Sequence, residues 1–131
     1  MNPLILIDTS SWVHFMRTHG DPDARRRVET ALRTGEACWC PLIQLELWNG
    51  ARRNREAKVL RHLESVLVSL PMDGKVWRRA WSLARHARSR GITVPAADIA
   101  IAACAQRHGA AIESVDGDFA RLAILGSAED A

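Results

Sequence analysis

Four acidic residues, far apart in the chain, are candidates for one shared metal site. Asp8 follows the apolar run at residues 4–7, Glu46 lies in an apolar segment, Asp98 comes shortly after a proline, and Asp116 follows a second apolar run. Carboxylates packed together repel each other unless a cation neutralises them. Mg²⁺ and Mn²⁺ prefer such oxygen ligands. An ion of this kind lowers the pKa of a bound water and stabilises the leaving oxygen in phosphodiester cleavage.

Each of these acids also has a simpler interpretation when taken alone. Asp98 is compatible with an acid in the first turn of a helix, where it favours the positive end of the helix dipole. Glu46 has Arg52 and Arg53 as candidate ion-pair partners, and Asp116 belongs to an Asp-Gly-Asp turn. Only the joint pattern of the four acids favours a metal site.

Zinc and disulfide chemistry are disfavoured by the other candidate ligands. The five histidines are scattered without ligand spacing, and the three cysteines form no C-x-x-C pair. We interpret the cysteines as small buried thiols in a reducing compartment.

The elements that must position the acids alternate between strand and helix. Residues 4–7 read as a strand buried on both faces, and Asp8 lies at its carboxyl end. Further extended segments are expected at residues 37–40, 66–70, 92–94 and 110–114, with helices between them. This alternation predicts a parallel α/β sheet with right-handed crossovers, and such sheets bind ligands beyond the carboxyl ends of their strands.

Length and composition indicate one globular domain spanning residues 1–131, with a frayed tail at 126–131. Hydrophobic residues make up 47% and charged residues 25% of the chain, which is typical of a folded protein. The apolar run before Asp8 is too short for a signal peptide or a membrane span. We therefore expect a cytoplasmic protein without a membrane segment.

The positive charge is concentrated in the middle of the chain. Residues 50–95 contain eleven Lys or Arg against three Asp or Glu, whereas the rest contains seven against twelve. This distribution suits a protein that holds a cation at one place and a polyanion at another. A solvated, arginine-rich helical surface is the alternative that charge alone leaves open.

Four motifs in order resemble the PIN-domain ribonucleases, and most of all the VapC toxins of bacterial toxin–antitoxin pairs. The motifs are Ile-Asp-Thr-Ser-Ser-Trp at 7–12, Leu-Glu-Leu-Trp-Asn-Gly at 45–50, Pro-Ala-Ala-Asp-Ile-Ala-Ile-Ala-Ala at 95–103 and Ser-Val-Asp-Gly-Asp-Phe at 114–119. The resemblance spans nearly the whole chain. It implies a three-layer α/β/α fold with a central five-stranded parallel sheet.

The resemblance also implies roles for particular residues. The acids that would hold Mg²⁺, with Mn²⁺ as the alternative, are Asp8, Glu46, Asp98 and Asp116. Auxiliary positions near them are Asp118, Ser10 and Ser114. The last motif departs from the family pattern, with Ser114 in place of the usual Thr and Glu113 in place of an apolar residue.

An RNA substrate, a cognate antitoxin and a homodimer are the partners that this family implies. The candidate contacts to RNA phosphates are Arg52, Arg53, Arg55, Arg78 and Arg85. An antitoxin segment would lie in an apolar groove near the early helices, where Trp12 and Trp48 are plausible lining residues. We interpret the five tryptophans, including Trp77 and Trp81, mainly as core or partner-interface residues rather than RNA-stacking residues.

The sequence therefore predicts a Mg²⁺-dependent endoribonuclease that acts as a toxin. The main alternative is a catalytically silent PIN-like module that binds nucleic acid or protein. A receiver-type phospho-acceptor domain fits less well, because the third expected strand ends in Ser69-Leu70-Pro71 and offers no acceptor aspartate.

Overall fold

The computed structural model describes residues 3–125 of the 131-residue chain. Its elements in chain order are β1 (Ile5–Ile7), α1 (Thr9–Met16), α2 (Pro22–Arg33), β2 (Ala37–Trp39), α3 (Pro41–Gly50), α4 (Asn54–Val66), β3 (Val68–Ser69), α5 (Gly74–Ser89), α6 (Ala96–His108), β4 (Ala111–Glu113) and α7 (Asp118–Ala123). The tail expected to fray, residues 126–131, lies outside the described residues. Over residues 3–125, no helix combines the length and apolarity needed to cross a membrane.

The predicted parallel α/β sheet is confirmed, but the number of strands is not. The described residues form four parallel strands in the order β3-β2-β1-β4, so β1 lies between β2 and β4. The expectation of five strands is wrong for this part of the chain. Residues 92–94 form no strand, because the segment is confined between two helices: the Ile92 N–H bonds back to the Ala87 carbonyl oxygen, and Pro95 leads directly into α6.

The sequence signals for helix ends are confirmed at several positions. Asp21 caps α2 by accepting a hydrogen bond from the Ala24 N–H at 2.9 Å, and Pro22 occupies the first helical position. Gly109 ends α6 with a positive φ of 65°, a conformation that costs glycine little.

The helices cover both faces of the sheet. Because β1 and β2 are joined through α1–α2, and β3 returns to β4 through α5–α6, right-handed crossovers place these two helix pairs on opposite faces. Leu6 and Ile7 of β1 are fully buried between the layers. The core interpretation holds for Trp12 and Trp39, which are buried.

The core interpretation is wrong for Trp77 and Trp81 of α5, which are 39% and 63% exposed. The core side of α5 is instead formed by Val76, Leu83 and Ala87. Trp12 is also no groove residue, because its side chain is completely buried. Two tryptophans of α5 are thus left on the protein surface.

Candidate metal centre

Asp8 lies where β1 ends and α1 begins, and serines from both ends of the chain hold its side chain. Its Oδ2 atom accepts hydrogen bonds from the Ser10 hydroxyl at 2.8 Å and from the Ser114 hydroxyl at 3.0 Å. The Asp8 N–H donates to the Glu113 carbonyl oxygen at 2.9 Å, which ties it to β4. A carboxylate that is only 5% exposed requires such partners. Ser10 and Ser114 therefore fix the position of Asp8.

Glu46 reaches the same region from the middle of α3. The Thr9 hydroxyl, in the first turn of α1, donates a 2.6 Å hydrogen bond to Glu46 Oε1. Within residues 3–125, Glu46 forms no ion pair with Arg52 or Arg53. The simpler interpretation of Glu46 as half of a helix ion pair is thereby excluded.

Asp98 lies in the first turn of α6 and is the most perturbed acid of the group. Its Oδ2 atom is buried and has no hydrogen-bond partner among the described residues. Burial, as the largest cause, and the negative charges of the nearby carboxylates together raise the pKa of Asp98 to about 7. In decreasing order of effect, these carboxylates are Asp116, Asp8, Asp118 and Glu46. A half-buried acid surrounded by four other carboxylates is the arrangement that a bound cation would relieve.

Asp116 and Asp118 are presented by the turn between β4 and α7. The Ser114 hydroxyl oxygen accepts from the Asp116 N–H, and Asp116 Oδ1 accepts from the Asp118 N–H, both at 2.9 Å. One carboxylate oxygen from each of Asp98, Asp116 and Asp118 lies within 4.8 Å of the others. Arg121 approaches Asp118 at 3.5 Å and partly offsets its charge.

All of the predicted acids and both predicted serines are thus brought together at the carboxyl edge of the sheet. One difference concerns Asp118, which was expected to be auxiliary but belongs to the tightest group of oxygens together with Asp98 and Asp116. Asp8 and Glu46 lie near enough to act on Asp98 through their charge. The role of each residue in binding or catalysis stays a prediction.

Sequence reasoning missed two residues that support the site. Thr9 positions Glu46, and Glu113 connects the site to the helices: its Oε1 accepts from Arg27 Nε at 2.9 Å and its Oε2 from the Ser11 hydroxyl at 3.2 Å. The signal for Glu113 was present, since an acid stands there in place of the family's apolar residue. The acid at this position did not indicate that Arg27 and Ser11 would be its hydrogen-bond partners.

The arginines proposed as phosphate contacts occupy two separate places. Arg52, Arg53 and Arg55 line a cavity of about 600 Å³ at the tips of α1, α3 and α4. Arg55 is held there by the Met16 carbonyl oxygen at 3.3 Å. Arg78 and Arg85 lie instead on α5, on the opposite face of the sheet. The basic block of the sequence is therefore two surfaces in space.

The donor set fits a hard divalent cation. Every candidate ligand is a carboxylate oxygen, and the buried Asp98 Oδ2 is an acceptor that has no hydrogen-bond partner within residues 3–125. The three cysteines are buried away from solvent and belong to the hydrophobic core. Carboxylates from four elements at one sheet edge, around a parallel sheet in the order β3-β2-β1-β4, define a PIN-like α/β protein.

Comparisons with known proteins agree with this class. The PIN domain family model matches residues 5–125. Ribonuclease VapC11 of Mycobacterium tuberculosis is 38% identical over 122 residues, which cover 88% of this chain and 89% of that protein. Ribonuclease VapC21 of the same species is 29% identical over 107 residues, 79% of this chain and 78% of that protein. The chain belongs to the PIN domain family and, within it, to the VapC group.

Solved structures share the fold. DNA-bound VapBC from Salmonella typhimurium superimposes with a TM-score of 0.77 at 21% identity, covering 92% of this chain and 93% of that chain. FitAB bound to a DNA fragment gives a TM-score of 0.75 at 19% identity, with coverages of 92% and 91%.

Proposed function

We propose that this protein is a metal-dependent endoribonuclease, toxic when free and silenced by a cognate antitoxin. The observation that carries the proposal is the group formed by Asp98, whose pKa is raised to about 7, and the four carboxylates near it. Relatives named as ribonucleases, 38% identical over most of the chain, support RNA as the substrate. The fold alone would not support RNA as the substrate, because one fold hosts many functions.

The residues would divide the work as follows. Asp98, Asp116 and Asp118, with Asp8 and Glu46 beside them, would hold Mg²⁺ or Mn²⁺. The ion, when bound, supplies an activated water and stabilises the leaving oxygen of the cleaved phosphodiester. Ser10 and Ser114 keep Asp8 oriented, and Thr9 does the same for Glu46.

The decisive experiment is cleavage of a labelled RNA by the isolated protein in Mg²⁺, in Mn²⁺ and in EDTA. We expect cleavage only with a divalent ion, and its loss in Asp8→Asn and in Asp98→Asn. Glu29→Gln, an exposed carboxylate on α2, is the matched control and should cleave normally. Full activity in EDTA, or in both site variants, would remove the basis for the proposal. RNA binding without cleavage in either ion would identify the silent binding module instead.

The antitoxin has a candidate docking groove between α1, α2 and α4. This cavity of about 610 Å³ is lined by Phe15, Leu32, Lys58, Val59, His62, Leu63 and Val66. The lining is mostly apolar, and Val66 is 58% exposed at its edge. We propose that an apolar antitoxin segment packs here, as the resemblance to toxin–antitoxin complexes suggests. The expected homodimer stays a prediction.

A further inference from the structure

The outer side of α5 is positively charged. The helix contains five Lys or Arg residues and no Asp or Glu. Lys75, Arg78, Arg85 and Arg88 are all exposed, and their spacing of three and seven residues keeps them on one side of the helix. At 1.5 Å per residue, they extend over about 20 Å.

Both ends of this row open into concave surface. Near its start, Lys75 and Arg78 line a cavity of about 320 Å³ with Arg107 of α6, and the Arg78 guanidinium lies against Gly74. Near its end, Arg85 and Arg88 line a cavity of about 440 Å³ together with residues 91–94 and Ile99.

The second cavity leads towards the acidic centre. Ile99 is the chain neighbour of Asp98, and the Thr93 carbonyl oxygen accepts a 3.4 Å hydrogen bond from Arg121, which also pairs with Asp118. The positive row therefore runs from the far end of α6 to the border of the carboxylate group.

Trp81 lies between the two basic ends of the row. It is 63% exposed, and Trp77, one turn earlier, is 39% exposed. An exposed indole ring on the same side of the helix as these arginines offers a stacking surface for an unpaired base, and the arginines can contact the flanking phosphates.

We propose that the α5 track, defined as Lys75, Arg78, Trp81, Arg85 and Arg88, binds a single-stranded segment of the RNA and directs it towards the carboxylates. This inference rests on the proposed function, because it takes RNA to be the substrate. A second copy of the same face is a poorer occupant than a polyanion, because the rows of positive charge on the two copies would repel each other. Within residues 3–125, no carboxylate forms an ion pair with Arg78, Arg85 or Arg88, so these charges are available to a polyanion.

The test is binding of a short fluorescein-labelled single-stranded RNA to the full chain in EDTA, followed by fluorescence anisotropy. Replacing Arg78 and Arg85 together by Ala should weaken binding about tenfold and lower the slope of log K against log salt by about 1.4. Trp81→Ala should weaken binding about tenfold and Trp81→Phe much less. The matched control replaces two exposed arginines on the other face of the sheet, Arg33 and Arg61, by Ala. It removes the same charge and should change affinity less than twofold.

Several results would contradict the proposal that the α5 track binds RNA. Equal weakening by the two arginine pairs would show that only net charge matters. A Trp81→Ala variant that changes from dimer to monomer in sedimentation, with unchanged RNA affinity, would identify the face as a subunit interface. Because no cleavage occurs in EDTA, these outcomes are separate from the nuclease proposal. A wild-type protein that binds RNA through α5 but does not cleave it would contradict the proposed function and still support RNA binding by the α5 track.

Discussion

Replacing Asp98 by Asn should make the metal-free protein more stable at alkaline pH. Asp98 is half-buried among four other carboxylates, and its Oδ2 atom has no partner among residues 3–125. Removing its charge relieves the repulsion while keeping nearly the same side-chain volume. A residue of the proposed active centre is thus expected to cost the apo protein stability.

The size of the effect follows from the pKa. A rise from 3.8 to about 7 corresponds to ~4 kcal/mol at 1.36 kcal/mol per pH unit. Solvent that reaches the half-buried side chain screens the repulsion, which reduces this to ~2 kcal/mol. Asn also loses the favourable interaction with the positive end of α6, ~0.5 kcal/mol. The net gain of ~1.5 kcal/mol corresponds to a melting temperature about 6 °C higher for a chain of this length.

The gain should depend on pH in a defined direction. Between about pH 4 and pH 7 the unfolded chain releases the Asp98 proton while the folded chain keeps it, so the wild-type protein loses stability as pH rises through this window. Above pH 7 the wild-type protein is destabilised by the whole repulsion on ionised Asp98, and below pH 4 this destabilisation is absent. The Asn variant should therefore exceed the wild type at pH 8 and lose that advantage at pH 4.

Urea unfolding in EDTA at both pH values measures these differences, with Glu29→Gln as the control for loss of an exposed carboxylate. The control should lie within ~0.5 kcal/mol of the wild type. Added Mg²⁺ should reverse the order, because it stabilises the protein that binds it more tightly. An Asp98→Asn protein no more stable than the wild type at pH 8 in EDTA would refute the reasoning.

Three further changes probe the supports and the groove. Ser114→Ala removes a hydroxyl that donates to buried Asp8; it should cost about 1–2 kcal/mol in urea unfolding and slow RNA cleavage, with Ser114→Thr closer to the wild type. Glu113→Ala removes the 2.9 Å pair with Arg27 and the acceptor of the buried Ser11 hydroxyl, and it should cost about 1–2 kcal/mol, whereas an unchanged unfolding midpoint would mean that neither contact stabilises the fold. Val66→Asp puts a charge at the exposed edge of the apolar groove. It should weaken antitoxin binding at least tenfold by calorimetry without slowing cleavage by the free protein; unchanged affinity would place the antitoxin elsewhere.

Sequence reasoning located the acids because their positions follow local rules. Asp8 comes directly after a short apolar strand, and the carboxyl ends of parallel strands share one edge. Sequence reasoning did not show which carboxylate oxygens lie closest together. Asp118 joins Asp98 and Asp116 in a turn after β4 in which the Asp118 N–H donates a hydrogen bond to the Asp116 side chain.

The tryptophans of α5 show where periodicity stops being informative. Val76 and Trp77 are adjacent apolar residues, and either could belong to a stripe with helical spacing. Packing against α6 buries Val76 and leaves Trp77 at the surface. Residues 92–94 illustrate the same limit for strands, because an apolar segment joins a sheet only where a neighbouring strand has a free edge beside it.

The position of β4 beside β1 links the acidic centre to the order of synthesis. Because chains emerge amino end first, residues 8 and 46 leave the ribosome well before Asp98, Asp116 and the strand that supplies Ser114. Pairing of Ile7 with Glu113 closes a loop of more than a hundred residues, so the centre is among the last contacts to form. A nascent polypeptide that still lacks β4 therefore holds three of the five acids, Asp8, Glu46 and Asp98, and the centre can form only after β4 and the turn that follows it have been synthesised.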